Sequence, residues 1–76
     1  MDLTVLAFAH ARETFGFASC IVTCDPGDTP RDVILRLAPR ADLQHLAIAR
    51  DSEYVPWDQP IGQARELAII PPVSGG

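Results

Sequence analysis

The sequence predicts a single α+β domain, with one helix packed on a mixed sheet of about five strands, and three observations lead there. The chain has 76 residues, room for one domain and no more. Its apolar segments follow the order strand, strand, helix, strand, strand, strand. Its first and last segments are the most apolar, which places them side by side in the middle of the sheet. A domain of this size buries only about 60% of its unfolded surface. Hydrophobic residues at 47% supply the core, while charged residues at 21% keep the surface soluble.

The first strand is read in Leu3-Thr4-Val5-Leu6-Ala7-Phe8-Ala9, a short apolar run rich in sheet-favouring residues. Alternation places Leu3, Val5, Ala7 and Ala9 on one face. Thr4, Leu6 and Phe8 then share the other, which is unusually apolar for an outer face. Residues 10–16 form a polar break containing Gly16, long enough for a hairpin connection. A second strand spans residues 17–24, with Ala18, Cys20, Val22 and Cys24 facing one way.

Asp25-Pro26-Gly27-Asp28 has the composition of a turn. Thr29 can then cap the free N–H groups of a helix, Pro30 fits its first position, and Asp32 favours the positive end of its dipole. Val33, Ile34, Leu37 and Ala38 fall at helical spacing on one face, and Pro39 stops the helix near Leu37 or Ala38. Residues 45–50 read as a third strand, Asp51-Ser52 as a tight turn, and residues 53–55 as a short fourth strand stopped by Pro56. Residues 57–63 are irregular, with space for one helical turn. Residues 66–70 make a fifth strand that is apolar on both faces over most of its length, the pattern of a central strand covered on both sides. With no internal repeat or linker, the chain divides into a body over residues 1–70 and a tail over residues 71–76.

The formal net charge of −4 argues against a phosphate-binding surface and so against nucleic acid. It suits docking on basic surfaces of other proteins. Arg12, Arg31, Arg36, Arg40, Arg50 and Arg65 are the only basic residues besides two histidines. With no lysine, the chain offers no side chain for an isopeptide bond. No segment approaches the roughly 18 apolar residues of a membrane span, and the start lacks the layout of a signal peptide. A cytoplasmic location without membrane association is the expectation.

No catalytic constellation is visible. Cys20 and Cys24, four apart on one strand, have Cα atoms about 13 Å apart, and a disulfide needs less than about 7 Å. Without further ligands they make no metal site, so both are read as small core residues. His10 and His45 have no suitably spaced nucleophile. The carboxylates are scattered singly, mostly in turns, and no glycine-rich phosphate loop appears.

The tail is different. Pro71 and Pro72 donate no backbone hydrogen bonds, so they end sheet pairing and favour a stiff, extended path. From Pro71 to Gly76 the chain can reach on the order of 20 Å beyond the body. Gly75-Gly76 is the narrowest backbone a protein can offer, able to pass where any Cβ would clash.

The ending Ile69-Ile70-Pro71-Pro72-Val73-Ser74-Gly75-Gly76 resembles a known family. So do Val5-Leu6-Ala7-Phe8-Ala9 followed by Arg12-Glu13, and Gly27-Asp28-Thr29 leading into the helix. Together, over the whole length, they resemble the small, sulfur-carrier subunits of molybdopterin synthase, the MoaD family within the MoaD/ThiS sulfur carriers. The resemblance implies a ubiquitin-like β-grasp fold and a cycle centred on Gly76. A ubiquitin-activating-type enzyme adenylates the Gly76 carboxylate with ATP, and a sulfur donor, a sulfurtransferase, converts it to a thiocarboxylate. Gly75 gives the tail access to narrow sites. The tail, with Pro71, Pro72 and Val73, then enters the large synthase subunit and donates sulfur to cyclic pyranopterin monophosphate.

On this resemblance the chain is a non-catalytic carrier that binds no cofactor of its own. It acts as one subunit of a heteromer, modified by the thiocarboxylate. Phe8 and Ile70 match an apolar docking patch, completed by Tyr54 or Val55. The chain departs from the family in having Ala64-Arg65 where many members have Gly-Asp, and Arg50 where Asn is frequent. Three other readings stay open: a carrier for thiamine, tRNA thiolation or cysteine synthesis; a ubiquitin-like modifier joined through Gly76; and a binding module with an inert tail.

Overall fold

A computed structural model describes residues 1–72. The elements run β1 (Asp2–Ala7), α1 (Ala11–Phe15), β2 (Ser19–Thr23), α2 (Pro30–Leu37), β3 (Ala47–Arg50), β4 (Glu53–Tyr54) and β5 (Glu66–Ile70). They form one five-stranded sheet in the order β2-β1-β5-β3-β4. β1 and β5 are parallel, and every other neighbouring pair is antiparallel. The first and last strands are therefore central neighbours, as their composition predicts.

One face of the sheet carries the core. Leu3 and Val5 of β1, Ile48 of β3, and Leu67 and Ile69 of β5 are buried against Val33 and Ile34 of α2. Ile61 and Leu43 join them from loops. The helix begins as its sequence dictates: Asp32 N–H donates to Thr29 Oγ1 at 3.1 Å and Thr29 N–H to Asp32 Oδ2 at 3.0 Å, a reciprocal capping box behind Pro30. The loop before β5 clamps this start. Ile61 N–H donates to Asp28 O, Gly62 N–H to Pro26 O, and Arg31 N–H to Trp57 O. Residues 57–63 form no helix: Gln59 N–H and Ala64 N–H close isolated turns on Pro56 O and Ile61 O, while the Ile61 and Gly62 N–H groups are used in the longer-range bonds.

Several local readings need correction. The connection over residues 10–16 contains a short helix, α1, which buries Ala11 and closes at Gly16 in the left-handed region at φ 81°. Five residues are too few for helical periodicity to show. β1 stops at Ala7, and Ala9 is exposed at φ 51°, so it does not continue the buried row. β2 spans Ser19–Thr23 rather than residues 17–24, although one bond at Ala18 and two at Cys24 extend the pairing beyond its ends. β3 begins at Ala47, because Leu46 N–H turns back to Leu43 O. β4 ends at Tyr54. Leu37 is exposed; Leu35 packs on the core instead, and Leu43 from the following loop is buried with Val33 and Ile34. Finally, β5 is central, but among the described residues no second layer covers its other face. Ala68 is only 6% exposed because so short a side chain lies low between Leu6 and Ala49, its partners on either side.

Two ion pairs brace the helix side. Arg36 meets Asp28 at 2.8 Å, and Arg31 meets Asp58 through two bonds of 2.8 and 3.3 Å. The hydrogen bond from Arg36, then that from the Asp25 N–H, holds the Asp28 carboxyl below its ordinary range, and Arg31 does the same for Asp58. Carboxyls depressed in the folded state stabilise it above the ordinary carboxylate range near about 4, and that contribution is lost as pH falls through their lower folded values. Urea midpoints should therefore decline on the acid side of about pH 4. Asp28→Asn should flatten that decline more than Asp58→Asn, because the Asp28 side chain is 16% exposed and the Asp58 side chain 74%.

The β3–β4 turn holds Asp51 at φ 47° and Ser52 at φ 72°, both left-handed, as a tight two-residue hairpin requires. Ser52→Gly should raise stability by about 0.5–1 kcal/mol in chemical denaturation, since glycine occupies that region without the Cβ penalty. A lower midpoint would show that the serine side chain supports the turn.

Candidate docking face and tail

Strand alternation sorts the remaining side chains onto the open face of the sheet. β1 presents Thr4 and Leu6, and β2 presents Ser19, Ile21 and Thr23. β5 presents Glu66, Ala68 and Ile70, and β3 presents Ala47 and Ala49, with Tyr54 of β4 beside Ala49. Phe8, one residue past β1, stays tied to β5 through its N–H, which donates to Ile69 O at 3.3 Å. The result is a row of small alanines along β3 and β5, with Leu6, Phe8 and Ile70 to one side and Tyr54 to the other. Phe8 is 48% exposed and Tyr54 71% exposed. An open apolar face of this kind is a candidate contact surface.

The structure brings Phe8, Tyr54 and Ile70 to this face, and it separates Val55 from them. Val55 N–H donates to Ile48 O, and its side chain packs against the core on the opposite side. Period-two alternation makes Tyr54 and Val55 exclusive choices, and register decides for Tyr54. Ile21, Ala47, Ala49 and Ala68 were not singled out from the sequence. For Ile21 a signal existed, since facing Cys20 and Val22 inward sends Ile21 outward. The three alanines become a surface only once β3 and β5 are paired.

Pro71 continues directly from the central strand β5 and is half-buried, while Pro72 is exposed. The tail thus leaves from the middle of the sheet, beside Phe8 and Ile70. Val73, Gly75 and Gly76, the other tail residues expected to act, lie outside the described residues.

The departures from the family pattern settle into ordinary structure. Asp51 Oδ1 accepts from the N–H groups of both Arg65 and Glu66, at 2.9 and 3.1 Å, and so anchors the start of β5 without a glycine there. Ala64 is buried, and the Arg50 guanidinium reaches Ile61 O at 3.4 Å.

Elsewhere the chemistry is sparse. Cys20 and Cys24 are free thiols whose pKa values burial pushes up; Cys24 lies in the core as expected, whereas Cys20 is half-buried and packs against its margin. His10 and His45 are exposed. Among the described residues no group of His, Cys, Asp or Glu is arranged to hold a metal ion, and no helix is long and apolar enough to cross a membrane. An open groove on the helix side is lined by Arg31, Leu35, Leu43 and Trp57, but Arg31 is already paired with Asp58 and the Trp57 Nε1–H with Leu46 O.

Known proteins share this arrangement. A family model described as the ThiS family matches residues 5–76. The molybdopterin synthase sulfur carrier subunit of Arabidopsis thaliana is 32% identical over 81 residues, covering 100% of this chain and 84% of its own length. SAMP1 from Haloferax volcanii superimposes with a TM-score of 0.78 at 24% identity, over 100% of both chains. A putative molybdopterin converting factor subunit 1 from Pyrococcus furiosus superimposes with a TM-score of 0.75 at 23% identity, over 96% of this chain and 99% of its own. These structural likenesses establish the ubiquitin-like β-grasp fold.

The split between Tyr54 and Val55 can be measured. Val55→Ala should cost about 1–2 kcal/mol of stability through lost core contacts. Tyr54→Ala should stay within about 0.5 kcal/mol of the parent. Equal losses would contradict the assigned register.

Proposed function

The chain belongs to the ThiS family and is a sulfur carrier of the MoaD/ThiS type, and from that premise we propose that it serves as the small subunit of molybdopterin synthase. The observation that carries this reading is the reach of the matches. The family match runs through residue 76, and the plant relative named as the synthase subunit covers the whole chain.

In the proposed cycle the reacting group is the Gly76 carboxylate. A free carboxylate is a poor acyl donor, so an adenylating enzyme of the ubiquitin-activating type joins it to AMP from ATP, releasing pyrophosphate. Sulfur delivered by a sulfurtransferase at the oxidation level of sulfide then attacks the acyl carbon, the C–O bond to AMP breaks, and the tail ends in a thiocarboxylate. That group is a good sulfur nucleophile. Delivered into the large subunit, it donates sulfur to cyclic pyranopterin monophosphate, two such transfers completing the dithiolene, and the hydrolysed tail can be recharged. Gly75 and Gly76 supply the narrow passage, while Pro71, Pro72 and Val73 hold the tail extended. The open face around Phe8, Tyr54 and Ile70 docks the partners, its aromatic anchors supplying much of the binding energy. The acid–base groups belong to the partners. Its likeness to SAMP1 is one of fold and supports no conjugating role.

Intact mass after incubation with ATP, a sulfur donor and the cognate activating enzyme tests the cycle. The expected product is heavier by the exchange of one oxygen for one sulfur, and deleting Gly76 should abolish that gain without changing the melting temperature. An unchanged mass, or a charged product from the truncated chain, would sink the carrier mechanism. A deletion strain should lack molybdopterin. Normal levels would reassign the sulfur to thiamine, a tRNA base or cysteine.

A further inference from the structure

The two edges of the sheet are unlike. β4 is two residues long and starts with a charge, Glu53. β2 is five residues long, Ser19-Cys20-Ile21-Val22-Thr23, with no charge, proline or glycine. Its pairing with β1 runs from Leu6↔Ser19 to Asp2↔Thr23 without a bulge. Natural edge strands are usually blunted by lysine, inward charges, proline, bulges or extreme shortness, because a free row of N–H and C=O groups templates another strand. β2 has none of these protections.

The ladder identifies the free groups. The N-terminal ammonium donates to Cys24 O at 2.8 Å, Cys24 N–H to Met1 O at 2.9 Å, and Ala7 N–H to Ala18 O at 3.0 Å. Hydrogen-bonded pairs alternate in an antiparallel ladder, so Leu3–Val22 and Val5–Cys20 are also such pairs. Ser19, Ile21 and Thr23 therefore aim their main-chain groups away from β1, at the open edge. Thr4, which stands opposite Ile21, shows the same alternation from the other side, its N–H turning to Arg65 O at 3.0 Å. The side chains of Ser19, Ile21 and Thr23 lie on the open face and are exposed, Ile21 at 71%.

We propose that a second copy of this chain occupies the edge: β2 pairs antiparallel with its counterpart about a twofold axis through Ile21, joining the two sheets into one. The strand is self-complementary in that register. Ser19 falls opposite Thr23, Ile21 opposite Ile21, and each outward N–H meets an outward C=O. No like charges meet along the seam, which a chain with a net charge of −4 would otherwise impose. An axis perpendicular to the sheet keeps both α2 helices on one side. It also makes the open faces continuous, with the paired Ile21 side chains between them. β5 lies beyond β1 from the seam, so Pro71 and Pro72, which follow it, are separated from the pairing by a strand. So short an edge buries less than roughly 1,000 Å², and the association is weak and reversible.

Sedimentation equilibrium of the full chain up to about 1 mM, with amide hydrogen exchange by NMR, tests the pairing. A reversible dimer is expected, with the Ser19, Ile21 and Thr23 amides slowed as concentration rises. Ile21→Lys should weaken association at least about tenfold with an unchanged melting curve. Thr23→Lys serves as the second variant should the first fail to fold. Glu53→Gln, which changes net charge by the same amount at the other edge, should leave the dimer intact. A chain that stays monomeric throughout overturns the proposal. So does a dimer indifferent to both lysine variants, or one whose concentration-dependent amides surround Phe8 and Tyr54. Protection of the β2 amides only when an extended peptide of another protein is added would assign the edge to that partner, and would overturn it equally.

Discussion

The parallel pairing of β1 with β5 is the constraint on which the rest of this domain depends. It joins the two ends of the body, from Thr4↔Glu66 to Ala7↔Ile69, across nearly the whole chain. Two strands that run parallel cannot be joined by a tight turn. Everything between them is thus a long excursion, out to the β2 edge, over the inner face as α2, and back through β3 and β4. The excursion is held closed by side chains that only meet when β1 and β5 do: Leu3, Val5, Leu67 and Ile69, all fully buried under Val33 and Ile34.

From that pairing follows the division of the sheet into two unlike faces. A 76-residue chain has one main helix to spend on coverage, and α2 takes the inner face. The outer face stays open and has to be tolerable in water, which the central alanines make possible. Ala47, Ala49 and Ala68 put little apolar area there, and the larger groups stand around them.

The ionic contacts have a secondary part. Both ion pairs sit at the surface, where such pairs contribute little. The main-chain bonds from residues 57–62 to the lead of α2, and the double acceptance by Asp51 at the start of β5, are the better guides to how the loops are held. Asp51 also explains how the backbone at Arg65 and Glu66 is fixed with no glycine there. A side-chain carboxylate holds it instead.

By itself the sequence determined the order of the strands and the main helix, the capped start of α2 at Thr29-Pro30, and the central place of the fifth strand. Each rests on local chemistry: capping geometry, proline's missing N–H, or the apolarity of a buried strand. Tertiary structure alone decided the rest. α1 was hidden because five residues show no period, and the strand ends shifted because long-range hydrogen bonds, not propensity, terminate a ladder. The open face was half legible. Phe8 stood out as an apolar residue on an outer face, but a one-residue alternation separates Tyr54 from Val55, and only pairing with Ala49 assigns Tyr54 outward. The alanine row and the unguarded β2 edge belong wholly to the folded sheet, because a surface shared by several strands has no existence along any one of them.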